Sequence, residues 1–527
     1  MMSVVIESKT CASLHALTGV LVVAYAVGTF LVGPSIFSDP GWGFLVADSM
    51  AQGGPFNHLV EPDLDNIARN ASRFLAAWSP AQYVLPTLIE RLGLDLGHSI
   101  AVVTSVFSAL GLIGWHRLYR AWGFPPLSSA IALLIIAGGR MFSLPFGIFS
   151  GGEILVFGGL PWFTLLLWRW RALAAWQALG ILLAMAALVF LKLSGLVFAL
   201  SALAAIVVSD LWPPRAARLR RPAMALAIAV VFCIAFHEFW ISGEWTPVVD
   251  IGEFYPERLL THSAGGIAAA VMGTLSLGDL TARLLRYPGY PMLASLDWVY
   301  VAASVPALAL LIFTARRLRA SHADYLRFVL PTSAIFIVLL TIIFARGGAL
   351  DLEDRHFRPL ALILLIGVVH AVATTGGRLR MAFAGVAATS IAYGMASFVV
   401  HLGHNFHRPL SDRGFRHAIL SQPALDFLRS GGLERSGSRA DSVVYVTSPE
   451  IGLEVRNARI ICAHADFEDD AVLRDRIYAG RVERLTVLVQ TKLIGEGKAD
   501  LILASFVDYD RSKWIAHSLG DFTYFTQ

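Results

Sequence analysis

Apolar runs of roughly 18 to 22 residues recur from near the start of this chain to about residue 400, and this pattern constrains its fold most. A bilayer's hydrocarbon core is about 30 Å thick, and a helix of about 20 apolar residues crosses it. Within that layer a backbone must satisfy its own donors and acceptors, which helices do. The runs fall near 14–37, 99–115, 126–146, 149–168, 174–191, 194–212, 223–241, 294–315, 329–345, 357–375 and 382–400. They predict an α-helical polytopic membrane protein with about 11 transmembrane helices. The composition agrees: 15% of residues are charged and 56% are hydrophobic, where a soluble chain carries about a quarter charged.

The net charge of +4 does not indicate a nucleic-acid partner, because the basic residues sit in short clusters between apolar runs. Cys11, Cys233 and Cys462 are far apart and have neither a metal-type nor a disulfide-framework spacing. The N-terminus lacks a charged leader and a small-residue cleavage site, so the first run is read as a retained span.

The connectors set the expected orientation. Arg-rich segments at His116–Phe124, Arg169–Arg171, Arg215–Arg221, Arg316–Arg327 and Arg378–Arg380 all fall on one side of an eleven-span arrangement. The positive-inside rule makes that side the cytoplasm. The expected location is a bacterial inner membrane, with the N-terminus cytoplasmic. Residues 1–401 would form the membrane domain, with external loops at about 38–98 and 242–292. Ala81–Gly97 carries Glu90, Arg91 and Asp95, so it is expected to be interfacial. Leu259–Leu277 is read as interfacial or re-entrant, since crossing there would reverse the later clusters.

Beyond His401 the composition becomes that of a soluble protein. Strand-like runs at 443–447, 459–463, 485–490 and 500–505 alternate with helix-like segments such as Asp466–Tyr478. Residues 402–527 are expected to form a small soluble α/β domain on the periplasmic side.

Three stretches could carry chemistry. Asp39 follows the first span in Ser-Asp-Pro-Gly-Trp, where it either caps a helix over Trp42–Gln52 or acts as a general base. Lys192 interrupts a long apolar run, where it either snorkels to headgroups or meets an anion. Arg346 to Pro359 packs Arg346, Asp351, Glu353, Asp354, Arg355, His356 and Arg358 between two spans. Arginines on the outside oppose the positive-inside bias, so they serve either an Arg–carboxylate network or phosphate recognition. Trp42 and Tyr83 fit an interfacial aromatic belt or a carbohydrate-stacking surface. Glu153 is a lone carboxylate near a span end. His401, His404 and His407 would spread over a helix face, so no metal site is assigned.

Taken together, these positions resemble the GT-C superfamily of integral-membrane glycosyltransferases, which includes protein O-mannosyltransferases and lipid A aminoarabinose transferases. Asp39 with the following GWGFLVADSMAQGG resembles that family's aspartate and amphipathic helix after the first span. The run from Trp78 to Gly97 resembles the segment that follows in the same loop. LKLSG at 191–195 and EDRHFRPL at 353–360 resemble its lysine-containing turn and its Glu-Arg-Tyr-x-x-Pro-like entry to a late span. Pro40 stands where a second acid is frequent, which leaves Asp48, Asp63 and Asp65 as substitutes and a divalent cation open.

The resemblance implies a polyprenyl-phosphate-linked sugar donor and a lipid, polysaccharide or protein acceptor. Asp39 would be the base of an inverting transfer. Lys192 with Arg346 or Arg355 would hold the lipid phosphate, and His356, Trp42 and Tyr83 would contact substrate. The competing expectations are a transporter or flippase of lipid-linked saccharides and a membrane-anchored envelope assembly protein. Against a transporter, the two halves show no similarity and the charges lie at span ends rather than mid-span.

Overall fold

The computed structural model describes residues 2–170, 175–211, 220–241, 254–285, 296–347, 354–429, 441–465 and 468–527. Asp351, Glu353, Arg171, most of Arg215–Arg221 and the first part of Asp466–Tyr478 lie outside the described residues, as does much of the expected loop 242–292. The chain divides into two compact units. One comprises Met1–Thr29, Val102–Gly147 and Gly152–His401; the other comprises Phe30–Ala101, Ile148–Gly151 and Leu402–Gln527.

The first unit is helical, and each of the eleven expected spans falls on a helix. Among the described residues, eight helices are long and apolar enough to cross a membrane. There are nine if Pro126–Gly138 and Arg140–Gly147, bent by 41°, form one broken span. The remaining two expected spans fall on Gly152–Arg169, with charged residues at both ends, and on the shorter apolar Trp176–Leu191. The chain is a multi-pass membrane protein.

Gly111 and Gly158 let two of these helices approach closely. A Cβ on Gly111 would lie 2.2 Å from the Phe157 ring, and one on Gly158 would lie 2.6 Å from the Phe107 ring. Each helix offers a small residue to the other's phenylalanine, the packing that lipid-embedded helices favour. This contact fixes Gly152–Arg169 and with it Glu153. Leu259–Leu277 is not one of the span-length helices. It folds as Pro256–Met272 and a 3-10 turn, Gly273–Leu275, and the longer helix packs on Leu296–Leu318, Ala323–Ala345 and Asp354–Ala373.

The second unit joins the first loop to the C-terminal segment through a core in which Phe44, Leu45 and Tyr83 pack with Phe415, Val444 and Leu488. The helix at its centre, Ser38–Ala51, starts four residues earlier than the Trp42 expected from sequence. Proline suits a first helical turn, where its missing N–H would have had no partner, so Pro40 starts the helix instead of delaying it. The N-cap is Phe37, which supplies no side-chain cap, and Asp39 lies within the first turn. The reading of Asp39 as cap of a helix at Trp42 is therefore corrected. Its charge still complements the helix dipole.

A hairpin of His58–Asp63 and Asn66–Phe74 follows. Next comes the short helix Ala81–Glu90, in the stretch expected to be interfacial. The C-terminal sheet has five strands. Arg459–Cys462 lies at one edge, followed by Ser442–Val446, Arg484–Gln490, Phe522–Thr526 and Ile515–Leu519. The first three are parallel and match three of the expected strands. The fourth expectation, 500–505, is overturned, because that run lies in the helix Lys498–Ser505. Its buried residues Ala499, Ile502 and Ser505 recur every three positions, a helical and not a strand period. The last two strands form a hairpin that turns at Gly520, with φ at 69°.

Two buried features of this unit lead to measurements. The Tyr83 hydroxyl donates to Asn57 Oδ1 at 2.7 Å, and Asn57 Nδ2 donates to the Leu75 carbonyl at 2.9 Å. Tyr83→Phe leaves a buried acceptor unpaired and should cost about 1–3 kcal/mol, read as a lower melting temperature. Glu61 on the hairpin is shielded, and burial raises its carboxyl to about 7 although Arg73 and Arg476 oppose the shift. An acid whose pKa is raised by folding favours the folded state while protonated. Its contribution is therefore complete below its ordinary value of 4.5 and is lost as pH rises through about 7. Wild-type protein should lose thermal stability across that window, and Glu61→Gln should flatten the loss.

Candidate functional site

The first unit gathers positive charge in an apolar setting. Lys192 lies between the helices Ala175–Leu191 and Ser194–Leu211, where the apolar run breaks. Its ammonium forms an ion pair with Glu153 Oε1, in the first turn of Gly152–Arg169. A Cβ on Gly152 would lie 2.9 Å from Lys192 Cβ, so glycine there permits the approach. Glu153 is 8% exposed, and its Oε2 is buried without a hydrogen-bond partner.

Arg355 and Arg358 come from Asp354–Ala373 and, three positions apart, share one helix face. Together with Lys192 and Glu153 they line a pocket whose other walls include Val156, Phe157, Leu160 and Leu362. Arg358 is 4% exposed, its guanidinium lies over the Phe157 ring at 5.2 Å, and its Nη1 has no hydrogen-bond partner. No described carboxylate lies within ion-pair distance of Arg358. Lys192, Arg355, Arg358 and Glu153 thus meet among apolar walls. Buried charge is costly without compensation, so Arg358, the buried cation of the set, is suited to a counter-anion.

The other sequence candidates in this unit separate from that pocket. Arg346 follows the helix Ala323–Ala345, is exposed, and has its guanidinium 5.8 Å from the Phe254 ring. His356, next to Arg355, is buried with its ring centroid 6.4 Å from that of Phe344. Successive helical residues point about 100° apart, so Arg355 and His356 leave their helix in different directions. Arg358 was missed as a site residue, although its spacing from Arg355 signalled it.

In the second unit, Asp39 is half-buried at the start of Ser38–Ala51, three residues before Trp42. The Trp42 and Trp78 rings are parallel within 13°, with centroids 6.4 Å apart. Trp42 Nε1 donates to His464 Nε2 at 3.2 Å, so a residue of the C-terminal segment orients this indole. That contact has no sequence signal. Tyr83, expected to touch substrate, is wholly buried and packs against the helix, where a Cβ on Gly43 would lie 2.6 Å from its ring. Its aromatic surface is used in the core.

The substitute acids have other tasks. Asp48 takes both Nη1 contacts of Arg413 at 3.0 and 3.1 Å, and Glu90 takes its Nε and Nη2 at 3.3 and 3.2 Å. This double clamp ties two helices to the C-terminal segment. Asp63 Oδ1 accepts from the Asp65 amide at 3.1 Å and shapes the hairpin turn. Among the described residues, no group of three or more His, Cys, Asp or Glu could hold a metal.

No protein-family model matches this chain, and no curated protein sequence matches it. Solved structures do match. The crystal structure of ArnT from Cupriavidus metallidurans bound to undecaprenyl phosphate aligns with a TM-score of 0.51 at 12% identity, covering 98% of this chain and 97% of that one. The fold resembles that of ArnT over nearly the whole of both chains. The apo ArnT structure gives a TM-score of 0.50 at 12% identity, covering 97% and 98%. A cryo-EM structure of the mycobacterial arabinofuranosyltransferase AftD gives 0.46 at 16% identity, covering 90% of this chain and 36% of that one.

The Glu153–Lys192 pair can be tested apart from any activity. Lys192→Met removes the direct ion-pair partner of a buried carboxylate and should cost about 3 kcal/mol or more. The double variant Glu153→Gln with Lys192→Met should recover most of that melting temperature in detergent, because neither partner is then left charged and alone.

Proposed function

We propose that this protein is a membrane glycosyltransferase that moves a sugar from a polyprenyl-phosphate-linked donor to an acceptor hydroxyl, with inversion at the anomeric carbon. The observation that carries this reading is the buried Arg358 guanidinium, which has no described carboxylate within ion-pair distance, beside Lys192 and Arg355 among apolar walls. It occurs in a fold whose solved neighbour holds undecaprenyl phosphate. A lipid phosphate has the matching chemistry: an anion joined to a hydrocarbon chain.

In the proposed reaction the Asp39 carboxylate takes the proton from the acceptor hydroxyl. The acceptor oxygen attacks the anomeric carbon as the bond from that carbon to the lipid-phosphate oxygen breaks. The electron pair leaves with the phosphate, and Lys192, Arg355 and Arg358 stabilise its growing charge. Trp42 and Trp78 offer ring faces against which a sugar can stack. The reaction belongs to the periplasmic face of a bacterial inner membrane, with the N-terminus in the cytoplasm and residues 402–527 outside. This orientation follows from the arginine-rich connectors.

Transfer of radiolabelled sugar from polyprenyl-phosphate donors in membranes tests the proposal. Asp39→Asn should lower transfer at least about a hundredfold at normal expression. Unchanged transfer would reduce Asp39 to a residue that favours a helix start. Absence of transfer from any donor in wild-type membranes would defeat the transferase reading in favour of a flippase.

A further inference from the structure

The aromatic pair assigned to sugar stacking is held from the far end of the chain. Trp42 and Trp78 are both half-buried, and so is His464. Trp42 lies three residues after Asp39 in Ser38–Ala51, and residues three apart share one helix face. The proposed base and the proposed stacking ring therefore leave the helix on one side.

Two loops of the C-terminal sheet meet this part of the helix. Ser442–Val446 and Arg459–Cys462 are adjacent parallel strands whose last residues, Val446 and Cys462, are register partners. The loops that follow them thus start level with each other. The loop after Val446 lies against Gly41, where a Cβ would come within 3.2 Å of Pro449 Cβ and 3.3 Å of the Glu450 amide nitrogen. The loop after Cys462 carries His464, whose Nε2 lies 3.2 Å from Trp42 Nε1. The two rings meet edge-on, with centroids 5.6 Å apart and planes at 67°.

The chemistry of the two rings fixes the direction of this bond. An indole nitrogen only donates, so His464 Nε2 accepts and the imidazole is neutral, with its proton on Nδ1. The indole N–H points outward in the plane of its own ring. A bond there restrains the rotation of the indole without covering either of its faces. The Trp42 ring so held is the one that lies parallel to Trp78 within 13°.

We propose that His464 is a positioning residue for the transfer: by accepting the indole N–H it sets the Trp42 ring in the orientation, parallel to Trp78, against which the sugar stacks beside Asp39. The C-terminal segment then takes part in the reaction without placing a side chain on the reacting atoms. This role rests on the transferase reading; the contact between the two rings does not.

Transfer kinetics and a resonance of the indole together test the role. The kinetic readout is kcat/KM for the polyprenyl-phosphate donor at equal amounts of folded protein. His464→Leu removes the acceptor and should lower kcat/KM about tenfold, the scale of one hydrogen bond. His464→Gln offers Oε1 at about the reach of Nε2 and should stay within about twofold of wild type. Trp42→Phe loses the donor and should match His464→Leu, so the test survives if the leucine variant misfolds. The double variant should lose about tenfold and not about a hundredfold, because both changes remove the same bond. The full-length protein in detergent, isotopically labelled at the indole nitrogen of tryptophan, gives the second readout. The Nε1–H resonance that disappears in Trp42→Phe should move in His464→Leu and keep its position in His464→Gln. Equal losses in the leucine and glutamine variants, additive losses in the double variant, or a resonance unmoved in His464→Leu would each overturn the role. A moved resonance with unchanged kcat/KM would overturn it too, leaving a structural contact only. Absence of transfer from any donor in wild-type membranes, with the resonance behaving as expected, would defeat the transferase reading and the role with it, while the contact stands.

Discussion

Burying positive charge among hydrocarbon is the constraint from which the helical unit takes its form. Lys192 can sit at a break between two apolar helices because Glu153 meets it, and Glu153 can do so because glycine at 152 permits the contact. Arg358 lacks an equivalent partner and rests on the Phe157 ring. The same phenylalanine fills the space above Gly111, so the residue that locks two helices together also supports the least compensated cation. Packing and charge are coupled through one ring.

The second unit solves a different problem. Its core draws on two segments interrupting the sequence of the helical unit and on one that follows it, joined by polar clamps as well as apolar packing. Arg413 binds two carboxylates from different helices. The wholly buried His417 meets Glu454 at 2.8 Å, and Glu454 also accepts from Ser411. Burial opposes the Glu454 charge, but these donors and nearby Arg429 hold its carboxyl below the usual range. Such clusters specify register between distant segments in a way that apolar contact alone does not.

How much of this was legible in the sequence varied with the range of the interaction. The spans were readable because each is a local property of about 20 residues. The three parallel strands were readable for the same reason. The segment 500–505 misled because a short apolar run fits either period until its buried face is known. The candidate site was legible as residue types at span ends, including Lys192, Arg355 and Asp39. Its partners were not: Glu153 lies 39 positions from Lys192 and His464 lies 422 from Trp42. Tyr83 looked like a surface aromatic because nothing nearby in sequence reveals the glycine at 43 that receives its ring.

The discontinuous make-up of the second unit also has a consequence in time. A ribosome delivers residues 30–101 long before residues 402–527. During the interval the faces of Phe44, Leu45 and Tyr83 that later meet Phe415, Val444 and Leu488 have no native partner. Contacts this distant in sequence form late and slowly. The helices of the first unit can be inserted while that half-built core waits, so the nascent loop is a natural client for a chaperone. A message truncated before residue 402 would release a chain whose helices can insert but whose loop can never close its core.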